Sequence, residues 1–286
     1  MEILVTGGKG RIGTILTEVL RSEGNAVETF DLLDNQNILD FESLDSAIRG
    51  KNLIYHLAAI DDVGTCYKSP ELMMNVNGVG TANVLKSSVQ NKVEKVVIAS
   101  SVFCYHGKKE NNENFEYDYS IETIPYSSGK ILQEFVSQLF VKNYNIDVVL
   151  ARYNIPVGPT ITNVVHALGN RMLRNEDITI FGDGLQGRNY LWVGDLVRGN
   201  IILGESAKEG AYNICGDQFF SILDIVKFLK HSVTEVTGSP WSGNLGFADS
   251  QSREFFGVDV DSSKIKELGW EQTVSVQDAV TKTVKF

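Results

Sequence analysis

The stretch of sequence that decides the fold is Thr6-Gly7-Gly8-Lys9-Gly10-Arg11-Ile12-Gly13. A short apolar strand, Glu2–Thr6, precedes it, and Arg11–Ser22 follows with apolar residues at helical spacing. The first glycine permits a tight turn, the third lets the backbone approach a pyrophosphate, and the fourth allows close packing of helix on strand. We therefore expect a dinucleotide site at the start of this helix, where the amides of Arg11 and Ile12 face the phosphates. The alternative is a tight turn that holds no ligand.

Asp31 ends the second predicted strand, Ala26–Phe30, about 20 residues after the glycine-rich loop. A carboxylate in this position accepts hydrogen bonds from the ribose hydroxyls of NAD and repels the additional phosphate of NADP. The sequence therefore predicts NAD as the cofactor. An ordinary turn aspartate is the alternative.

Strands and helices alternate along the first half of the chain. The further predicted strands are Asn52–His56, Val93–Ala99 and Ile146–Arg152, and the helices Pro70–Gln90 and Ser128–Tyr144 lie between them. This alternation predicts an α/β fold with a doubly wound parallel sheet of the Rossmann type, covered by helices on both faces.

The character of the sequence changes near residue 155. We predict an NAD-binding domain over residues 1–155 and a small C-terminal α/β substrate-binding domain over residues 156–286. The chain is expected to return to the first domain within residues 186–215. In the second part, Ser221 and Asp224 form a predicted capping pair at the start of a helix. The segment Glu235–Gly257 is rich in Gly and Ser and is predicted to be a loop.

Composition argues against several classes of protein. Of the 286 residues, 43% are hydrophobic and 22% are charged, as in an ordinary globular chain. The net charge of −10 argues against nucleic-acid binding and against an anionic membrane partner. The apolar runs are too short for a bilayer, and the chain opens on a strand, so we expect no membrane span and no signal peptide. The cysteines, Cys66, Cys104 and Cys215, are widely spaced, which favours a cytoplasmic location and, with the scattered histidines, argues against a metal site.

A second motif, Tyr126-Ser127-Ser128-Gly129-Lys130, places a phenol and an ammonium one helical turn apart. The ammonium is expected to stabilise the phenolate and to lower the pKa of Tyr126 toward neutrality. Such a phenol can move a proton while a hydride moves. The pair alone could be a helix-surface pair, but Ser100-Ser101 ends a predicted strand some 25 residues earlier.

Together with the glycine-rich loop, these residues resemble the extended short-chain dehydrogenase/reductase superfamily and, within it, the nucleotide-sugar epimerase/dehydratase family. The resemblance covers nearly the whole chain. It is carried by the order and spacing of His56-Leu57-Ala58-Ala59, Asn77-Gly78-Val79-Gly80-Thr81, Ser100-Ser101 with Tyr105, Tyr126 with Lys130, Arg152 to Gly158-Pro159, Ile178–Gly184, Arg188, Val193, Asp195 and Leu268-Gly269-Trp270.

The resemblance implies three catalytic residues. Tyr126 is the acid–base at a sugar hydroxyl, Ser101 hydrogen-bonds the reacting oxygen, and Lys130 binds the nicotinamide ribose and tunes Tyr126. The residues expected at the cofactor are Gly7, Gly10, Arg11, Ile12, Gly13, Asp31, Asp40, Phe41, Leu57, Ala58, Ala59, Asn77, Ser100, Tyr126 and Lys130. The residues expected at the substrate are Asn154, Asn163, Val164, Thr179, Phe181, Arg188 and Arg253. For Arg188 the alternative is a surface ion pair with Asp183 or Asp195.

The chain also departs from the family pattern. Ile155 stands where relatives usually carry an asparagine, with Asn154 one position earlier, and Asp61 stands where some epimerases carry a phosphate-binding lysine. The 4,6-dehydratases of the family place an acidic pair after the catalytic hydroxyl residue. Here those positions are Val102 and Phe103, which cannot carry a proton. We therefore expect no dehydratase activity.

The resemblance implies NAD-dependent oxidation and epimerisation of a nucleotide-diphosphate sugar, most simply at C4. Two alternatives stay open: a nucleotide-ketosugar reductase or dehydrogenase, and a catalytically idle NAD-binding regulator on the same fold. The sequence names neither the sugar nor the nucleotide. The family often forms dimers through a four-helix interface, and here Thr81–Gln90 and Lys130–Tyr144 would supply the helices of a homodimer.

Overall fold

Parallel strands of aliphatic residues form the centre of the molecule. The computed structural model describes residues 1–105, 112–113, 124–249, 257 and 259–286. Its strands are β1 (Glu2–Thr6), β2 (Ala26–Phe30), β3 (Leu53–His56), β4 (Lys95–Ser101), β5 (Asp147–Tyr153), β6 (Pro156–Val157), β7 (Ile178–Phe181), β8 (Gly187–Arg188), β9 (Leu191–Trp192), β10 (Gly210–Ile214), β11 (Phe220–Ser221) and β12 (Leu245–Ala248). Its α-helices are α1 (Arg11–Ser22), α2 (Phe41–Ile48), α3 (Val63–Lys68), α4 (Pro70–Met73), α5 (Thr81–Gln90), α6 (Pro125–Tyr144), α7 (Val164–Leu173), α8 (Val193–Ser206), α9 (Ile222–Thr237), α10 (Ser263–Lys266) and α11 (Val276–Lys285).

The main sheet has six parallel strands in the order β10-β5-β4-β3-β1-β2. Ile3, Leu4 and Val5 in β1 are all fully buried, because helices cover both faces of the sheet. The strand order reverses direction between the neighbouring strands β1 and β3, and the carboxyl ends of the parallel strands meet at one edge. The predicted doubly wound Rossmann fold is therefore confirmed.

The second half of the chain contributes to this sheet and also builds a core of its own. Strand β10 pairs with β5, in register from Gly210 opposite Val149 to Ile214 opposite Tyr153. A separate buried cluster brings together side chains of α7, α9 and α11, including Leu168, Leu229 and Val280. The division into two domains at residue 155 stays a prediction.

Three local features differ from the sequence-based expectation. The predicted helix Pro70–Gln90 contains a π-helical stretch, Met74–Gly80, between α4 and α5. The predicted loop Glu235–Gly257 contains β12, because the backbone of Asn244 hydrogen-bonds Ile178 and aligns the chain along β7. Helix α6 begins earlier than expected, since Pro125 occupies its first position, where a missing N–H costs nothing.

The predicted capping pair is confirmed: the Ser221 hydroxyl accepts the amide of Asp224, and the Asp224 carboxylate accepts the amide of Ser221. Among the described residues, none of the helices combines the length and the apolar character that crossing a bilayer requires.

Candidate active site

One cleft lies along the carboxyl edge of the main sheet. It has a volume of about 930 Å³. Of the residues predicted for the cofactor, the catalytic step and the substrate, those that line it are Gly7, Gly10, Arg11, Ile12, Gly13, Asp31, Leu57, Ala58, Ala59, Ser100, Ser101, Tyr126, Lys130, Asn154 and Asn163. The fold thus gathers segments from both halves of the chain at one site.

The glycine-rich loop is shaped as a dinucleotide cradle. Gly7 has a φ of +69°, and a Cβ added to it would lie 2.7 Å from the amide nitrogen of Ala58. A Cβ on Gly13 would lie 2.2 Å from the carbonyl oxygen of Gly7. Both spaces are too small for a methyl group, so the backbone comes as close to helix α1 as glycine permits. The first residues of α1 line the cleft, and the free amides of a helix start are suited to bind the pyrophosphate of NAD.

Asp31 is held at the end of β2 by the backbone around it. Its two carboxylate oxygens accept the amides of Lys9 and Leu33, each at 2.9 Å. The ammonium of Lys9 pairs with Asp34. The Asp31 carboxylate can therefore accept ribose hydroxyls without moving, and its charge opposes a phosphate on the same ribose.

The three predicted catalytic residues lie together on one wall of this cleft. Ser101 ends β4, and its hydroxyl accepts the amide of Phe103 at 3.2 Å. Tyr126, in the first turn of α6, hydrogen-bonds Ser101. The ring of Phe103 meets the ring of Tyr126 edge to face, with centroids 5.2 Å apart. Lys130 follows one helical turn later, with its ammonium buried below the wall.

The protonation of this wall differs in part from the expectation. Burial raises the pKa of Tyr126, and the hydrogen bond with Ser101 offsets only part of that effect. Burial lowers the pKa of Lys130 to about 8. The ammonium of Lys130 donates to the carbonyl of Ala99 at 2.8 Å and to Gln133 at 2.9 Å. The expected lowering of the Tyr126 pKa toward neutrality is therefore wrong for the protein by itself, because desolvation outweighs the hydrogen bond with Ser101.

Three residues predicted at the cofactor do not line the cleft. Asp40 caps helix α2 by accepting the amide of Ser43 at 3.3 Å. The ring of Phe41 lies under the ammonium of Lys86, 4.3 Å from its centroid. At this end of the cleft, residues 37–39 form the wall instead.

Asn77 is the third of these residues. It is fully buried in the π-helical stretch. Its carbonyl oxygen accepts the amide of Ile60 at 2.7 Å, and its amide donates to the carbonyl of Ile60 at 3.2 Å. Asn77 therefore fixes the loop after β3, which does line the cleft, and contributes to the site through that loop.

The predicted substrate residues separate into two groups. Asn154 and Asn163 line the cleft, and the buried amide nitrogen of the Asn154 side chain has no hydrogen-bond partner within the described part of the chain. Val164, Thr179, Phe181 and Arg188 lie on α7, β7 and β8, beyond this wall. Arg253 lies outside the described residues.

Arg188 is connected to the cleft through an aromatic ring. Its guanidinium carbon lies 5.7 Å from the centroid of Phe103, the ring that also contacts Tyr126. The two carboxylates considered as its surface partners have other roles. Asp183 accepts the amide of Leu185, and Asp195 accepts the amides of two residues near the C-terminus.

A clamp joins the two halves of the chain across the cleft. The guanidinium of Arg11 pairs with Asp61 at 2.6 Å and donates to both the carbonyl and the hydroxyl of Thr162, at 3.1 and 3.0 Å. Asp61, which stands where some epimerases carry a lysine, is thus the ion-pair partner of Arg11 on helix α1. Among the described residues, no group of histidine, cysteine and carboxylate side chains could hold a metal ion.

Two residues that contact the side chains of this wall, Gln133 and Phe103, were not identified from the sequence. Gln133 contacts the ammonium of Lys130, and its position three residues further along the helix could have indicated this. Phe103 contacts both Tyr126 and Arg188. Nothing in its sequence spacing predicts that, because Arg188 comes from a distant strand.

Comparisons with known proteins agree with this geometry. A model of the NAD dependent epimerase/dehydratase family matches residues 3–215. The putative UDP-glucose 4-epimerase of Methanocaldococcus jannaschii is 25% identical over 305 residues, covering 99% of this chain and 97% of that protein. The UDP-glucose 4-epimerase of Thermotoga maritima, solved with UDP-glucose, has a TM-score of 0.88 and 27% identity, covering 100% of this chain and 98% of that one.

The UDP-glucose 4-epimerase of Thermus thermophilus, solved with NAD, has a TM-score of 0.84 and 25% identity, covering 99% of this chain and 98% of that one. The predicted cofactor is thereby confirmed. The chain belongs to the NAD-dependent epimerase/dehydratase family of enzymes, and NAD is its cofactor.

Proposed function

We propose that the protein epimerises a nucleotide-diphosphate sugar at C4. The observation that carries the proposal is that Ser101, Tyr126 and Lys130 line the same cleft as the glycine-rich loop. The relatives solved with UDP-glucose and with NAD support a uridine-diphosphate hexose as the first substrate to test.

The side chains of the wall can carry the proton through a complete cycle. When bound, NAD takes a hydride from C4 and returns it to the opposite face of the 4-keto sugar. Tyr126 accepts the proton of the C4 hydroxyl as the keto group forms and gives it back as the hydroxyl is restored. Ser101 hydrogen-bonds the same oxygen and keeps it beside the phenol. The cycle leaves no net proton, hydride or water, so one acid–base residue is sufficient.

Tyr126 must lose its own proton before it can accept one. Burial opposes this, since it raises the pKa of the phenol. The hydrogen bond from Ser101 and the positive charge of Lys130 both favour the phenolate. We therefore assign Lys130 two roles, which are to bind the nicotinamide ribose with its remaining N–H and to hold positive charge below Tyr126.

The same wall is unsuited to removing water from the sugar. Dehydration needs one group that takes a proton from carbon and one that protonates the departing hydroxyl. Val102 is buried and Phe103 packs against Tyr126, and neither titrates. The nearby Glu134 carboxylate is fully buried and held by Arg152 at 2.6 Å. We infer that no 4-keto-6-deoxy sugar is formed.

The nucleotide half of the substrate is assigned to the C-terminal part of the chain. Arg188 would bind the diphosphate, since a guanidinium donates two parallel hydrogen bonds to such a group. Thr179 and Phe181 are exposed on β7 and would hold the base. The unpartnered amide of Asn154 would donate to the sugar or diphosphate, one position before the place where relatives carry an asparagine.

The experiment that tests this function is a product analysis. The purified protein is incubated with a panel of nucleotide hexoses and pentoses, and inversion at C4 is followed by NMR. We expect an equilibrium mixture of the two C4 epimers from at least one substrate, and none with Tyr126→Phe. Stoichiometric formation of NADH without inversion would instead identify a dehydrogenase. A product 18 mass units below its substrate, by the chemistry of dehydration, would overturn the exclusion of dehydratase activity.

We also propose a cytoplasmic homodimer that pairs the helices α5 and α6 of two copies. Large apolar side chains of this face are exposed: Val79, just before α5, with Phe135 and Leu139 one turn apart on α6. An apolar face of this kind marks an interaction surface. The free, buried state of all three cysteines is consistent with a reducing compartment. Light scattering at micromolar concentration should give twice the monomer mass, and Phe135→Glu should return it to one.

A further inference from the structure

The described residues engage only part of the hydrogen-bonding capacity of the Lys130 ammonium. An ammonium carries three N–H donors. Two of them are directed to the carbonyl of Ala99 at 2.8 Å and to the side-chain oxygen of Gln133 at 2.9 Å. Because Lys130 lines the cleft, one N–H is left for a bound ligand. The direction of that N–H depends on the two acceptors that hold the others.

Gln133 is itself held by a line of buried hydrogen bonds. Its amide nitrogen lies 3.2 Å from the hydroxyl of Thr81, which lies 3.0 Å from Nε2 of His56. Nδ1 of His56 lies 2.7 Å from the hydroxyl of Thr6. All these side chains are buried. The line therefore runs from α6 through α5 and β3 to the end of β1, where the glycine-rich loop begins.

The chemistry of the groups gives the line a direction. An ammonium can only donate, so the oxygen of Gln133 faces Lys130 and its NH₂ group faces Thr81. Burial, together with the charge of Lys130, lowers the pKa of His56 to about 3, so this imidazole is neutral at neutral pH. We assign His56 the tautomer that continues this direction, in which the Thr81 hydroxyl donates to Nε2 and the Nδ1–H group donates to Thr6. Every dipole of the line then presents its negative end toward the ammonium, which stabilises the positive charge.

We propose that Gln133, oriented by Thr81 and His56, is a positioning residue for Lys130: it fixes the ammonium with one N–H directed into the cofactor cleft and helps to keep that group charged. This inference rests on the contact between Lys130 and the cofactor proposed above. Gln133 touches neither cofactor nor substrate, so its effect is expected in the titration of Lys130.

The surroundings of Lys130 make that titration sensitive. Burial lowers its pKa and the surrounding negative groups raise it, with a net value of about 8. The titratable groups that face it from the neighbouring elements are Asp61 after β3, Cys66 on α3, Cys104 after β4, Glu134 and Tyr126 on α6, and the neutral His56 on β3. Because this pKa lies near neutrality, withdrawing one acceptor should lower the pH at which the group loses its charge.

The test is the pH dependence of NAD affinity, measured by calorimetry on the purified protein between about pH 6 and about pH 10. NAD affinity should fall as the pH rises through about 8, because Lys130 loses its charge there. Loss of that charge-assisted hydrogen bond should weaken binding about tenfold or more. Gln133→Met keeps the length of the side chain and removes the acceptor, so the fall should begin about one pH unit lower. Gln133→Glu places a negative charge beside the ammonium, so the fall should move to higher pH.

The controls separate this inference from the function on which it rests. Lys130→Met should make the affinity independent of pH over this range, and a pH dependence equal to that of the unaltered protein would refute the contact of Lys130 with NAD. Ser137→Ala removes a buried hydroxyl of the same helix that donates to the backbone carbonyl of Gln133 rather than to its side chain, and it should not shift the curve. If Gln133→Met lowers stability too far, Thr81→Val should shift the curve in the same direction by less. If Lys130→Met flattens the curve while both Gln133 variants leave it in place, or shift it in the same direction, the positioning role is refuted.

Discussion

Replacing Arg152 by methionine tests which interaction holds helix α6 against β4, the two elements that bear Tyr126, Lys130 and Ser101. Arg152 on β5 and Glu134 on α6 form a two-pronged ion pair, with N···O distances of 2.9 and 2.6 Å. Their side chains are only 4% and 0% exposed. The carboxylate more than offsets the desolvation of Arg152 and raises the pKa of its guanidinium. Removing one partner of such a pair leaves the other charge buried and costs about 3–5 kcal/mol.

The structure places the expected loss near the lower end of that range. Glu134 also accepts a hydrogen bond from the hydroxyl of Ser100, and the thiol of Cys104 lies 3.6 Å away. Both donors remain in Arg152→Met, so the carboxylate is not left bare. We therefore expect a loss of about 3 kcal/mol in the free energy of unfolding, a large part of the total for a domain of ordinary stability.

A second arginine–glutamate pair has similar hydrogen-bond geometry but is exposed, so it shows how much of the stability loss is due to burial. Arg174 and Glu176 are also joined by two hydrogen bonds, at 2.6 and 3.2 Å, but their side chains are 60% and 41% exposed. Arg174→Met should leave the stability nearly unchanged, because solvent screens this exposed pair. Urea unfolding followed by far-ultraviolet circular dichroism gives both values.

The dependence of the free energy of unfolding on pH gives a further check on the Arg152 variant. Protonating the Glu134 carboxyl removes the buried charge that lacks its partner. The difference in stability between Arg152→Met and the unaltered protein should therefore shrink as the pH falls and grow as it rises. Equal losses in Arg152→Met and Arg174→Met, or a difference independent of pH, would refute the reasoning from burial.

The remaining predictions concern the cofactor, the acid–base and the core. Tyr126→Phe should lower kcat by about 10²–10⁴-fold with an unchanged Kd for NAD, as measured by NMR turnover and calorimetry. NAD should bind more tightly than NADP. Asp31→Ser should lower the ratio of the Kd for NADP to the Kd for NAD at least about tenfold, because it removes the negative charge that repels the additional phosphate of NADP. Gly13→Ala should abolish NAD binding, because its Cβ would lie 2.2 Å from a loop carbonyl, whereas Gly246→Ala meets nothing closer than 3.8 Å and should not affect it. Tyr55→Phe should raise the stability to urea by about 1 kcal/mol, since the buried Tyr55 hydroxyl has no partner among the described residues.

Periodicity and loop chemistry predicted most of the sheet, and the errors have physical causes. Strand β1 and helix α1 could be read from the sequence because apolar spacing and the glycine positions agree there. Strand β12 could not, because Leu245–Ala248 is short and gains its hydrogen bonds only from β7, which is remote in sequence. The π-helical stretch around Asn77 follows from contacts with the loop after β3, which local propensity does not report.

The candidate site was predictable where one segment supplies the chemistry. The spacing of Tyr126 and Lys130 on one helix placed both on the cleft wall. Asp40 and Phe41 were assigned to the cofactor by resemblance alone. In the structure, the Asp40 side chain caps helix α2 and the Phe41 ring packs under the ammonium of Lys86. The clamp between Arg11 and Asp61 needed the fold, because only the sheet brings these loops together.

Helix α6 shows how the stability of the wall and its chemistry are connected. One stripe of the helix bears the phenol of Tyr126 and the ammonium of Lys130, with the carboxylate of Glu134 one turn further on. The ammonium bonds the carbonyl of Ala99 and the carboxylate bonds Ser100, on consecutive residues of β4. A shift of α6 by one residue would turn this stripe by about 100° and leave two buried charges without partners. The buried charges thus fix the register of α6 against β4, and that register brings Tyr126 to the hydroxyl of the next residue of the strand, Ser101, for which we propose the catalytic role.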